Sequence, residues 1–308
     1  MSDHVLSDNP TIVPVVEPMN DLTTQSSLAR DAWNDMRRNP VFLLSASVVL
    51  LMLVMAVWPG LFAGWFGSGD PRQCDLAVSN NGPAPGHPFG FDTQGCDVYA
   101  NVIHGASASI SVGLLVTLFC FVLAVVLGSI SGFFGGWYDA VISRISDVFF
   151  GFPFLLGALI LLTSFSERSI WTVSFVLALL GWPTLARLMR STVKSVIDVD
   201  YVLAARGLGA SNWRIITRHI LPNAVTPVIV LSTLNIGAFI VAEATLTFLG
   251  VGLQYPAISW GLQLSAAQSS FTVSPHLLIF PSLFLGVTVV SFVLLGDVVR
   301  DAFDPKLR

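Results

Sequence analysis

Six long apolar segments constrain what this 308-residue chain can fold into more than any other feature of its sequence. A helix needs about 20 apolar residues to cross the hydrocarbon core of a bilayer. Segments that reach or approach this length lie at 41–62, 109–132, 148–164, 170–186, 225–249 and 277–296. Because lipid cannot hydrogen-bond an open backbone, such segments fold as helices. The sequence therefore predicts an all-α membrane protein with six spanning helices.

The composition agrees with this prediction and excludes several classes of protein. Hydrophobic residues make up 54% of the chain and charged residues 11%, whereas soluble domains contain about 25% charged residues. The net charge of −4 argues against a nucleic-acid partner. Neither of the two lysines, Lys194 and Lys306, follows a glycine-rich phosphate-binding loop. The chain is therefore not expected to bind ATP by that device, and no cofactor is expected.

The basic residues are distributed unevenly between the two sides of the predicted spans. With the N-terminus inside the cell, thirteen of the fifteen lysines and arginines lie on the inner side, and Arg72 and Arg168 lie outside. Cytoplasmic segments carry such an excess, so both termini are predicted to be cytoplasmic. The predicted organisation is a disordered tail at 1–29, a helix and the first span at 30–63, an extracytoplasmic loop at 64–105, a membrane core at 106–297 and a cytoplasmic C-terminus at 298–308.

A polar loop at 198–222 separates the fourth and fifth predicted spans. Asp198 or Asp200 is predicted to cap a short helix at 201–208, and Gly209 to take the left-handed conformation that ends it. Ser211 is predicted to cap a second helix at 213–221, which Pro222 ends before the fifth span.

The surface of this loop suits contact with another protein. Ala204 and Ala205 are small, so a partner can approach the backbone closely. The alternative is an amphipathic hairpin that lies on the membrane surface, anchored by Trp213 and the arginines.

The same loop resembles the Glu-Ala-Ala motif in the membrane subunits of binding-protein-dependent ABC importers. That motif has Glu-Ala-Ala, three residues, Gly, nine residues and Ile-x-Leu-Pro. The positions that match are Ala204, Ala205, Gly209, Leu221 and Pro222. Two positions depart from the motif, since Leu203 stands in place of its glutamate and His219 in place of its isoleucine.

Four further segments resemble the C-type permease subunits of oligopeptide, dipeptide and nickel importers. They are Arg-Arg-Asn-Pro at 37–40, Phe-Gly-Phe-Asp-Thr-Gln-Gly-Cys-Asp at 89–97, the segment at 243–252 with Ser-Trp-Gly at 259–261, and the C-terminal segment at 295–308. Phe91 and Cys96 stand where that branch usually has threonine and arginine. The five matches occur in the family's order and cover nearly all of the chain beyond the tail.

The resemblance implies a type I ABC importer permease fold in a prokaryotic cell membrane. It implies half of a translocation pathway for short peptides, paired with a second, similar permease subunit, two cytoplasmic ATPases and an extracytoplasmic solute-binding protein. The chain itself is then not an enzyme and has no catalytic residue. The residues expected to couple to the ATPases are Leu203, Ala204, Ala205, Arg206, Gly209, Ala210, Leu221 and Pro222.

Two alternatives to peptide import stay open from the sequence. One is an ABC permease for nickel or another small solute, because these importers share the same membrane motifs. The other is a secondary transporter driven by an ion gradient, although such folds favour charges at the midplane and repeated halves.

Glu243 is the one ionisable residue that lies well inside a predicted span. Intramembrane carboxylates commonly line substrate or ion pathways, so Glu243 is a candidate for the pathway or its outer gate. The alternative is a residue that packs between helices.

Two of the three cysteines, Cys74 and Cys96, lie in the predicted outer loop. Because an extracytoplasmic setting permits disulfides, they are expected either to form one or to remain free. No metal site is expected, because these cysteines with His87 or His104 fit no zinc spacing.

Glycines and prolines indicate how the spans pack. Gly128, Gly132 and Gly136 recur every four residues, a spacing that predicts close approach of two helices. The prolines predicted to break or bend spans are Pro153, Pro183, Pro227 and Pro281.

Overall fold

The computed structural model describes residues 33–303, and within that range the regular structure is helical with no strand. The helices are α1 (Pro40–Val57), α2 (Gly60–Ala63), α3 (Val98–Phe134), α4 (Gly136–Phe150), α5 (Phe154–Thr163), α6 (Ile170–Val196), α7 (Asp200–Gly207), α8 (Asn212–Ile215), α9 (Leu221–Ala224), α10 (Thr226–Phe248), α11 (Trp260–Ala267) and α12 (His276–Phe303). The tail at 1–29 and the last five residues of the C-terminal segment lie outside the described residues.

Five of these helices are long and apolar enough to span a membrane, namely α1, α3, α6, α10 and α12. A sixth candidate span is the pair α4 and α5, which are together long and apolar enough to cross a membrane and which meet at an angle of 86°. The break falls within the predicted segment at 148–164, and it confirms that Pro153 breaks or bends the chain there. Proline lacks a backbone N–H and disfavours a helical conformation in the residue before it, and Pro153 accordingly stands at the start of α5. By contrast, Pro183 and Pro281 lie inside helices, and Pro227 lies in the first turn of α10.

Close packing of α3 against α6 forms the centre of the bundle. A Cβ built on Gly128 would lie 2.6 Å from the Cβ of Met189, and one on Gly132 would lie 2.8 Å from that of Val193. These two glycines therefore permit the close approach that their spacing predicts. Gly136 does not contribute, because nothing lies within 4 Å of a Cβ placed there.

An ionic cluster joins α3, α4 and α6 at one end of the bundle. The Asp139 carboxylate accepts hydrogen bonds from the guanidinium of Arg190, from Lys194 Nζ at 2.8 Å and from Ser131 Oγ at 2.6 Å. Since three helices share one carboxylate, they are held together where α6 leads into α7.

At the opposite end of the bundle, the loop at 64–97 packs against the ends of the helices. Phe89 stacks on Phe280 with ring centroids 3.9 Å apart, and Ser274 Oγ donates to the carbonyl of Asn80 at 3.2 Å. Arg72 donates to the carbonyl of Pro256 at 3.3 Å. These contacts join the predicted extracytoplasmic loop at 64–105 and the segment at 250–276 into one surface.

Candidate functional site

The chain between α6 and α10, residues 197–225, is here called the connecting segment. It contains α7, a turn, α8, a π-helical turn (Ile216–Ile220) and α9. Helical structure thus runs nearly without interruption into α10. Pro222 does not end the second helix, as the sequence indicated, because it occupies the first turn of α9, where a missing N–H is tolerated.

Of the three predictions about helix ends in the connecting segment, two are confirmed. Gly209 has φ of +79°, a left-handed conformation that favours glycine. Ser211 Oγ accepts a hydrogen bond from the Arg214 N–H at 3.4 Å. The aspartate cap is wrong, since α7 begins after Val199 without a side-chain cap and Asp200 is already inside the helix. At that position the negative charge of Asp200 stabilises α7, because it interacts favourably with the positive end of the helix dipole.

Apolar anchors attach the connecting segment to the bundle. Val202, Ile215, Ile220 and Ala224 are buried and belong to the same hydrophobic cluster as Met189 of α6. Removing apolar side chains from solvent contributes about 1.5–3 kcal/mol for each large residue. The segment is therefore packed against the ends of the spans, so that a force applied to it acts on α6 and α10.

The opposite face of the connecting segment is open. Leu208 is 89% exposed, Trp213 75% and Leu203 45%, while Ala204, Arg206 and Gly209 are also exposed. Ala205, Ala210 and Leu221 are half-buried, and Pro222 is exposed. On this patch, large apolar and basic side chains lie next to alanine and glycine residues. Such a composition is typical of a surface that binds another protein. Sequence reasoning missed Leu208, whose exposure depends on how α7 sits on the bundle.

Glu243 lies inside the protein and lines neither of the two cavities described below. Its Oε1 accepts the Thr247 hydroxyl at 2.8 Å, and the buried hydroxyls of Ser109 and Ser259 lie nearby. Its Oε2 has no hydrogen-bond partner among residues 33–303. This geometry favours the packing alternative, in which Glu243 joins α10 to α3 and to the start of α11.

A groove of about 440 Å³ opens between α4–α5, α6 and α10. Its aromatic lining consists of Phe149, Phe150, Phe152, Phe154 and Phe239, and its polar lining of Thr184, Asn235 and Thr245. Sequence reasoning did not identify this groove. The available signal was the spacing of residues 235, 238, 242 and 245, which places small and polar residues on one face of α10.

A second cavity, of about 340 Å³, lies at the other end, between the loop at 64–97 and the segment at 255–267. Cys74 and Cys96 are joined by a disulfide in one wall. Burial raises the pKa of the nearby Asp92 carboxyl, although N–H groups that include those of Cys96 and Gln94 oppose the shift. Formation of this disulfide in the cell stays a prediction, which non-reducing peptide mapping checks.

Comparisons with known proteins identify sequences related to nearly the whole chain. The family described as "Binding-protein-dependent transport system inner membrane component" matches residues 124–308, and the family "N-terminal TM domain of oligopeptide transport permease C" matches residues 27–83. The chain is 35% identical over 279 residues to the glutathione transport system permease protein GsiD of Pectobacterium atrosepticum, covering 91% of each chain. It is 36% identical over 277 residues to the protein of that name from Shigella sonnei, covering 90% of each.

A solved structure shares the fold. The crystal structure of an amino acid ABC transporter with histidines aligns with a TM-score of 0.50 and 16% sequence identity. The alignment covers 64% of this chain and 91% of that one. The fold of the aligned part of the chain is therefore one already seen in an ABC transporter.

Proposed function

Because this chain belongs to the binding-protein-dependent transport system inner membrane component family, within the peptide, dipeptide and nickel branch, we propose that it forms half of the import pathway for short peptides. As a member of that family it is a multi-pass inner-membrane permease of a bacterial ABC transporter. The observation that carries the peptide assignment is its likeness to glutathione permeases over about nine-tenths of its length, since glutathione is a tripeptide.

In the proposed assembly a second, similar permease completes the pathway, and two ATPases bind on the cytoplasmic side. The exposed face of the connecting segment is where an ATPase binds, with Leu208 inserted into it and the alanines around 204–205 facing it closely. Both termini then lie in the cytoplasm. The joined outer surface, formed by 64–105 and 250–276, receives the solute-binding protein.

The coupling mechanism follows from how the connecting segment is attached. ATP binding draws the two ATPases together, and each carries the connecting segment it holds. Since that segment is packed through Val202 and Ile220 against the span ends, its displacement rotates α6 and α10. Rotation of packed helices between two discrete arrangements is a common route to alternating access.

We expect peptide uptake to depend on ATP and not on an ion gradient. The complete complex is reconstituted in vesicles with its binding protein, and uptake of radiolabelled glutathione is measured. Depleting ATP with the proton gradient intact is expected to abolish uptake, whereas dissipating the gradient with ATP present leaves it unchanged. The reverse result would assign the chain to the gradient-driven class and refute the proposal.

Glu243 provides a second prediction, which separates packing from a role in the pathway. Glu243→Gln keeps an oxygen that accepts the Thr247 hydroxyl, so uptake is expected to stay within about twofold of the wild type. Glu243→Lys leaves an unpaired buried charge and is expected to destabilise the fold by about 3–5 kcal/mol. Thermal unfolding and uptake are measured for both variants. Normal folding with abolished uptake in Glu243→Gln would instead place the carboxylate in the pathway.

A further inference from the structure

We propose that the groove between α4–α5, α6 and α10 holds the peptide during transport, and that Asn235 hydrogen-bonds a peptide bond of that solute. This inference rests on the proposed function and adds the residues and the chemistry by which the permease itself contacts its substrate.

The first argument is the polarity of the groove. Asn235 and Thr184 lie within spanning helices and line the groove, and neither side chain has a hydrogen-bond partner among residues 33–303. A polar group that faces hydrocarbon without a partner costs about 2–7 kcal/mol. A surface that carries such groups is therefore unsuited to lipid and suited to a polar occupant.

The second argument is the space around Asn235. Ala238 is exposed on the same face of α10 as Asn235, and its single methyl group leaves space beside the amide. The side-chain amide of Asn235 offers both a donor and an acceptor, which match the carbonyl and the N–H of a peptide bond.

The third argument is the aromatic lining at the bend between α4 and α5. Phe150 is 46% exposed and Phe152 58% exposed, and both face the groove. Aromatic rings accept weak N–H contacts and stack against planar amides. None of the residues that line the groove is ionisable, although the Arg187 guanidinium lies over the Phe150 ring, 4.4 Å from its centroid. The occupant is accordingly recognised mainly through its backbone amides and its apolar surface.

The fourth argument links the groove to the connecting segment. Two walls of the groove come from α6 and α10, which are the helices on either side of that segment. The third wall, formed by α4 and α5 at their bend, does not adjoin the connecting segment in the chain. Movement of the connecting segment therefore shifts two walls relative to the third, which is the change that a substrate site needs in order to open and close.

The test uses the complete complex in vesicles with its binding protein, at saturating concentrations of glutathione or trialanine. Asn235→Leu is expected to lower the ATP-driven uptake rate about fivefold, the ratio that one hydrogen bond of about 1 kcal/mol contributes. Asn235→Gln is expected to restore part of the rate. The matched control is Thr233→Val, because Thr233 lies on α10 outside the groove and its hydroxyl donates to the carbonyl of Val230.

A second measurement tests occupancy directly. In Asn235→Cys the new thiol is expected to react with a water-soluble thiol reagent, and trialanine, which has no thiol of its own, is expected with the binding protein to slow labelling during transport. The wild type, whose one free cysteine within residues 33–303, Cys120, is buried, supplies the background. A thiol that never reacts means that lipid or the second subunit fills the groove, and it overturns the inference.

The two proposals can fail separately. If the wild-type complex takes up peptide with ATP and Asn235→Leu transports at the same rate, the inference about the groove is wrong and the proposed function stands. If the wild-type complex shows no ATP-driven peptide uptake, both proposals fall.

Discussion

Replacing Leu208 with aspartate is expected to weaken binding of the ATPase subunits about a hundredfold and to abolish uptake. Leu208 is 89% exposed and makes almost no contribution to the fold. Burial of a leucine in a partner pocket contributes about 1.5–3 kcal/mol, and a carboxylate in that pocket must also lose its hydration. The measurement is co-purification of the ATPases with the tagged permease, followed by uptake in vesicles.

The matched control is Leu76→Asp. Leu76 is 77% exposed in the loop at 64–97, at the opposite end of the bundle, so ATPase binding should be unchanged. A second pair tests the turn. Gly209→Arg adds a large cation at a left-handed position, whereas Gly209→Asn tolerates that conformation better. Normal assembly and uptake in both Leu208→Asp and Gly209→Arg would rule out this face as the ATPase contact.

Replacing Gly128 with leucine is expected to prevent the bundle from packing. Even the Cβ of the new residue would lie 2.6 Å from the Cβ of Met189 and 2.7 Å from the carbonyl oxygen of Ala186. Neither contact can be relieved by a side-chain rotation, so α3 and α6 must separate. Adding methylenes to a well-packed core lowers the stability by about 1–3 kcal/mol. Because the backbones of α3 and α6 must also move apart, the loss of stability is expected to exceed that range. The expected result is low yield and a strongly lowered unfolding temperature.

Gly286→Leu is the control for this substitution. Gly286 lies within a spanning helix, α12, but nothing lies within 4 Å of a Cβ at that position. Its unfolding temperature is therefore expected to stay near that of the wild type. An unchanged unfolding temperature in Gly128→Leu would mean that α3 and α6 are not in close contact at this point.

Several features could be predicted because each depends on a local property of the chain. Gly209 adopts a left-handed conformation and Ser211 caps a helix, since both effects act within a few residues. Gly128 and Gly132 meet α6 because side chains four residues apart share one helix face. The family could be identified for a similar reason, since its motifs are short segments in a set order.

Other features could not be predicted, because they depend on contacts between distant residues. Asn235 and Thr184 belong to different helices, and only the packing of α6 beside α10 brings both into one groove. Hydropathy assigns Glu243 to a span but does not reveal whether it faces a cavity or, as the structure has it, a buried cluster with Thr247.

The incorrect prediction of an aspartate cap has a local cause instead, because α7 begins one residue away from the predicted position.

By itself, the sequence determined the class of protein and the family, because apolar length and short motifs are properties of contiguous residues. Only the tertiary structure decided which side chains stay exposed on the connecting segment, which polar groups in the candidate spans lack a partner, and how sharply the chain bends between α4 and α5. Those outcomes depend on which helix faces meet. The apolar surfaces of these spans are too similar to one another for periodicity alone to specify which pairs of faces come together.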